Sequence, residues 1–163
     1  MLVRHGLLVV LLATLSLAAT PKPTRLPESS YLPDAAGSRV VTVAEGGAAA
    51  AGITVLTEAV AIKETGPRAT VNRFGEVYAF SPAFVAVHRD EPTEITFWNL
   101  QPDDEHDFML TDPRNHVLLQ TKFAPLSKTT FVMTFHDEGV YPFYCTMHQP
   151  AMSGQIIVTA PDR

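Results

Sequence analysis

The stretch "KTTFVMTFH", residues 128–136, sets Phe131, Met133 and Phe135 at every second position, with Thr130, Val132 and Thr134 between them. Side chains that alternate with period two stand on opposite faces of an extended chain, so this aromatic edge reads as the inward face of a β-strand. "EITFWN", residues 94–99, alternates in the same way. Further strand candidates are residues 39–43, 53–62, 76–80, 83–88, 106–111, 116–121, 139–145 and 155–159. They are rich in Val, Ile, Thr, Phe and Tyr, and clusters such as "TGPR", "QPDD" and "DPRN" separate them. Many short strands with no amphipathic helix between them predict an all-β chain, a sandwich or barrel of antiparallel sheets. Nothing repeats internally, and "AEGGAAAAG", residues 44–52, reads as a loose turn or one helical turn without a functional role.

The chain opens with "MLVRHGLLVVLLATLSLAAT", where Arg4 precedes an apolar run closed by small side chains. That is the pattern of an export signal, and residues 6–19 are short for a bilayer-spanning helix. Residues 1–19 are therefore expected to be a signal peptide cut after Ala18 or Ala19, which implies a periplasmic or otherwise exported protein. An uncleaved membrane anchor is the alternative. Residues 20–38 carry four prolines and few large apolar groups, so they are expected to form a flexible linker. Residues 39–163 suffice for one domain. Within it, residues 39–75 form an N-terminal extension expected to add a strand pair over one sheet edge. Without the first 18 residues, 11 basic side chains face 17 acidic ones, a formal charge of −6. This balance argues against nucleic acid and for a basic protein partner.

The only cysteine, Cys145, cannot form an internal disulfide, although exported domains commonly use them. It is an inert buried thiol, an intermolecular link, a nucleophile or a metal ligand. Its surroundings, "YPFYCTMHQPAMSG", favour the last. A strand, a tight loop and a returning strand confine Cys145, His148 and Met152 to one small volume. Thiolate, imidazole and thioether together suit copper, and two histidines, one cysteine and a weak axial methionine make an electron-transfer site. The second histidine is expected to be His106 in "QPDDEHDFML", which starts a strand candidate just after a turn. His88, His116 and His136 are the competitors, each read as a strand-end or surface histidine.

From about Phe84 to Val158 the chain resembles the cupredoxins, through "EPTEITFWNLQPDDEHDF" and the terminal "DEGVYPFYCTMHQPAMSGQIIV". The resemblance implies a Greek-key β-sandwich holding one type 1 copper ion. It assigns His106, Cys145 and His148 as strong equatorial ligands and Met152 as the long axial one. The ligand loop has three residues between His148 and Met152, one fewer than the plastocyanin pattern and one more than the amicyanin pattern. Asp107 follows His106 where many members carry asparagine or serine; if its carboxylate approached the thiolate, it would lower the reduction potential. A dinuclear site of the oxidase type needs a second cysteine, and position 149 is Gln.

The expected function is single-electron transfer between redox partners such as a c-type cytochrome or a copper enzyme. Tyr141, Phe143 and Tyr144 are expected to keep the sulfur dry. His148 is the expected electron exit, within an apolar patch of Met147, Pro150 and Ala151. Asp103, Asp104 and Glu105 form an acidic cluster that steers a basic cytochrome or simply solvates a turn. The rival readings are a copper chaperone or resistance protein using Met109, Met133, Met147 and Met152, and a copper enzyme or sensor with an open coordination position. A cysteine hydrolase lacks any marked partner for a Cys–His pair.

Overall fold

The structure is a computed structural model that describes residues 30–162. The expected signal peptide and residues 20–29 of the expected linker lie outside the described residues.

Each segment that alternates with period two is a strand: β1 (Val41–Ala44), β2 (Ala51–Ala61), β3 (Val77–Ser81), β4 (Phe84–His88), β5 (Thr93–Asn99), β6 (His106–Thr111), β7 (Val117–Phe123), β8 (Ser127–Phe135), β9 (Gly139–Tyr144) and β10 (Ser153–Thr159). One sheet has the order β1-β8-β5-β2-β3 and the other β4-β10-β9-β6-β7. The two sheets form a β-sandwich. Phe131, Met133 and Phe135 of β8 are buried between them, as their spacing requires. Val132, on the other face, is nearly as buried, so β8 is apolar on more than one side.

The centre of the sandwich is aromatic. Phe97 lies 4.5 Å from Phe108, 4.8 Å from Phe123 and 5.6 Å from Phe131, centroid to centroid, and Phe143 lies 5.2 Å from Phe108 and 5.4 Å from Phe80. Rings interlocked in this way cannot shift singly without opening voids, which makes a stiff floor for whatever stands above them.

Strand directions decide what gathers at each end. β5 runs antiparallel to β8 and parallel to β2, while β9 is antiparallel to both β6 and β10. One end therefore collects the β2–β3 connection, the β5–β6 turn and the β9–β10 loop. Gly154 lets the β9–β10 loop re-enter the sheet. A Cβ there would run into the Ala83 carbonyl and the Phe143 ring, so no side chain fits.

The fold departs from the sequence reading in four places, the first being that the sheets are not purely antiparallel, since β2 pairs parallel with β5 and β4 with β10. Residues 39–75 supply no strand pair at one edge: β1 is the edge strand beside β8, whereas β2 lies inside the sheet between β5 and β3. The cause is the parallel β2–β5 pairing, which separates the two strands. An unexpected helix, α1 (Arg68–Phe74), fills the β2–β3 connection. It buries none of its residues, so it carries no apolar stripe to be read. Residues 30–38, within the expected linker, lie against the sandwich: Tyr31 exchanges backbone hydrogen bonds of 2.7 and 3.0 Å with Gln120 and covers the edge of β7.

Candidate metal centre

His106 is the first residue of β6, Cys145 follows β9 directly, and His148 and Met152 lie in the loop before β10. The strand directions bring all four to the same end. His106 Nδ1 is 3.1 Å from His148 Nδ1, and Cys145 Sγ is 3.4 Å from His148 Nδ1 and 3.9 Å from His106 Nδ1. Each corner of a triangle with these sides lies about 2.0 Å from its circumcentre, close to the bond lengths of roughly 2.0–2.3 Å at which imidazole nitrogen and thiolate hold a first-row ion. Two imidazoles and a thiol, with a fully buried Met152 beside them in the core, are a donor set that fits copper.

The loop is fastened from within. Cys145 N–H donates to the Met152 carbonyl, and Met152 N–H to the His148 carbonyl, each at 3.0 Å. The Gln149 amide adds two bonds, donating to the Cys145 carbonyl at 2.8 Å and the Met152 carbonyl at 3.0 Å. Sequence reading used Gln149 only to exclude a second cysteine. Its role as the loop's internal clasp follows from backbone geometry that composition does not reveal.

Asp107 is buried and its carboxylate is fully engaged. It accepts the Thr146 N–H at 2.6 Å, the Thr146 hydroxyl at 2.7 Å and the Gln120 amide at 2.9 Å. The charge is thus held beside the thiol and away from open water. Burial pushes the Cys145 thiol up to about 11; the backbone N–H groups of Asp107 and Met147 oppose the rise, and the Asp107 carboxylate adds to it. Burial, then the neighbouring His148, lowers the His106 imidazole to about 4, and burial also lowers that of His148. Both rings are therefore neutral donors at pH 7.

The Asp107 charge has a measurable consequence. Asp107→Asn keeps an acceptor for Thr146 but removes a negative charge that favours the more positive metal state. The reduction potential of the copper-loaded protein is expected to rise by about 40–90 mV, from a Coulomb interaction of about 1–2 kcal/mol at an effective dielectric near 20. Protein-film voltammetry reads this directly, and an unchanged or lower potential would contradict it.

The competing histidines have other partners at the opposite end of the sandwich. His88 Nδ1 meets the Ala160 carbonyl at 3.1 Å and His116 Nδ1 meets Asp112 at 2.9 Å. His136 lies between Asp90 at 2.9 Å and Thr42 at 2.8 Å. Tyr141 also lies away from the site. Its hydroxyl donates to the Asp137 carbonyl and its ring packs on Phe135, so it shelters the far end and not the sulfur. Tyr144 is half-buried, and Phe143 alone of the three rings is wholly inside near the thiol's end of β9.

The aromatic ring that does stand over the site is Tyr78 of β3, which sequence reading missed. Its centroid is 4.8 Å from that of His106 and 4.6 Å from that of His148. Its hydroxyl donates to Asp104 Oδ2 at 2.6 Å. Burial, then the bond to Asp104, pushes the phenol well above its ordinary value.

Comparison with known proteins agrees with this architecture. Auracyanin B aligns over 74% of this chain and 99% of its own, at 13% identity and a TM-score of 0.51. A multicopper oxidase aligns over 69% of this chain and 45% of its own, at 14% identity and a TM-score of 0.52. Auracyanin A, a "blue" copper protein of the green thermophilic photosynthetic bacterium Chloroflexus aurantiacus, aligns over 66% of this chain and 98% of its own at 14% identity, with a TM-score of 0.48. At such identities the likeness to auracyanin B and the oxidase is one of fold. No curated protein matches the chain. The cupredoxin-like domain model, however, matches residues 7–158, and the chain belongs to that copper-binding family.

Proposed function

We propose that the protein is an exported electron carrier whose copper ion is held by His106, Cys145 and His148, with Met152 as the axial ligand. The observation that carries this reading is the meeting of two imidazole nitrogens and one thiol within 4.8 Å of one another at the end of a packed sandwich. Copper held there supplies a one-electron change between its cuprous and cupric states. The chain's own part is to keep the donors still. His106 starts a strand whose first three residues are all buried, and the loop bearing His148 is clasped by Gln149. Little rearrangement is then needed when the charge changes.

The exit for the electron is the half-buried His148 ring, flanked by Met147, 46% exposed, and by the exposed Pro150 and Ala151. Asp103, Asp104 and Glu105 beside it give the rim a negative field that suits a basic redox partner such as a c-type cytochrome. Glu105 is partly neutralised by Lys122 at 2.7 Å, which leaves the two aspartates as the stronger contributors. The chaperone reading finds less support. Met133 is buried among phenylalanines, at the strand position paired with Val43 and Thr93, far from the loop.

Titration of the purified protein with copper(II) tests the proposal. An intense visible band that a reduced cytochrome bleaches and an oxidant restores is the expected outcome. A colourless protein that takes up copper(I) and yields it to a competing chelator would replace the carrier with a chaperone.

A further inference from the structure

Tyr78 offers no atom to the candidate centre, yet it touches both of its histidines. It is 1% exposed, and its ring is inclined at 67° to His106 and 60° to His148. The two imidazoles are themselves 4.7 Å apart at 62°, so the three rings close an edge-to-face triangle. Contacts of this kind are directional, because the positive edge of one ring meets the negative face of another.

A second observation makes this packing matter. A ligating imidazole is usually oriented by a hydrogen bond from its other ring nitrogen to a carbonyl, a carboxylate or a water. With Nδ1 turned to the centre, that nitrogen in His106 is Nε2, which is buried and has no partner among the described residues. Orientation therefore falls to the rings packed on it, which are Tyr78 and His148.

Tyr78 is in turn fixed from outside. Its hydroxyl donates to Asp104, two residues before His106. The Asp104 carbonyl accepts the Asn99 amide at 2.8 Å, and that amide also reaches the Phe123 and Ala124 carbonyls, each at 3.1 Å. The Asn99 carbonyl oxygen accepts the Thr57 hydroxyl at 2.9 Å. A line of buried and part-buried polar contacts thus runs from β2 and β5 through the β5–β6 turn to the tyrosine.

We propose that Tyr78, anchored by Asp104, is the positioning residue that orients both histidine rings and closes their side of the copper centre to any additional ligand. This rests on the reading of His106 and His148 as ligands. The centre would accordingly owe part of its assembly to β3, a strand outside both segments that supply the donors.

The test compares the wild type with Tyr78→Leu and Tyr78→Phe, using copper(I) competition against a chromophoric chelator and azide addition to the copper(II) form. Tyr78→Leu is expected to weaken copper(I) binding about tenfold, the factor that loss of two such ring contacts implies, and to let azide change the visible spectrum. Tyr78→Phe keeps the ring and is expected to stay within about threefold of the wild type and remain silent to azide. A folded Tyr78→Leu with wild-type affinity and no azide response overturns the inference while leaving the ligand reading standing. A wild type that binds no copper overturns both. Should circular dichroism find Tyr78→Leu unfolded, Asp104→Ala takes its place, since it removes the phenol's acceptor, along with one rim charge, and keeps the Tyr78 ring. Broadened imidazole proton resonances of His106 in the metal-free variant are then the expected result, and resonances as sharp as those of the wild type overturn the inference.

Discussion

Cys145→Ser is expected to abolish the visible band of the copper(II) protein and to weaken copper(I) binding by at least about a hundredfold, while the fold survives. The colour depends on a thiolate donating charge to the metal, and a serine hydroxyl is a hard, weakly acidic donor that does not replace it. Retention of the fold is what makes the result readable. Cys145 is 0% exposed, and its sulfur lies 3.4 Å from His148 Nδ1 and 3.9 Å from His106 Nδ1. A serine hydroxyl placed there has the neutral His148 imidazole as a hydrogen-bond partner, so the substitution buries no unpaired polar group. Copper titration with visible and paramagnetic spectra, beside a thermal melt of the metal-free protein, separates the two effects. A variant that kept both band and affinity would return Cys145 to the class of inert buried thiols.

Much of this centre could be read before any coordinates, because its parts follow local rules. Phe131, Met133 and Phe135 announce β8 by their spacing alone. The turn residues "QPDD" place His106 at the start of a strand, and a loop of six residues cannot part Cys145 from Met152. The missed features depend on pairings between segments distant in sequence. Tyr78 alternates with Val77 and Ala79 like any core strand residue; only the β2–β3 pairing and the bond to Asp104, 26 positions away, bring it over the histidines. Tyr141 misled for the same reason. It is as buried as Phe143 and on the same strand, but two residues along a strand is a rise of about 7 Å, enough to move a ring from one end of the sandwich towards the other. Nor could α1 be foreseen, since a seven-residue helix with no buried side chain leaves no apolar period behind it.

The metal-free protein is expected to have a stability plateau between about pH 6.5 and pH 9, with losses on both sides that come from the proposed ligands themselves. On the acid side, burial followed by His148 holds folded His106 near 4, below the 6.5 of an exposed imidazole. The unfolded chain takes up this proton first, so the stability is fully present above pH 6.5 and is lost as pH falls towards 4, by about 3 kcal/mol. On the alkaline side the thiol stands near 11 when folded and 9 when exposed. The unfolded chain releases its proton first, so stability is full below pH 9 and falls by about 2–3 kcal/mol as pH climbs to 11. Copper cancels the second slope and adds a rise below pH 9. Binding requires the thiolate, so each copper ion displaces one proton from Cys145, and apparent affinity grows about tenfold per pH unit until the thiol ionises unaided. Urea melts of the metal-free and copper(I)-loaded protein at fixed free copper should therefore diverge steadily from pH 7 to pH 9, by about 1.4 kcal/mol per unit. Parallel curves over that range would mean that the metal does not bind through the Cys145 sulfur. A metal-free profile that stayed flat down to pH 4 would mean that His106 is not buried as a neutral ring.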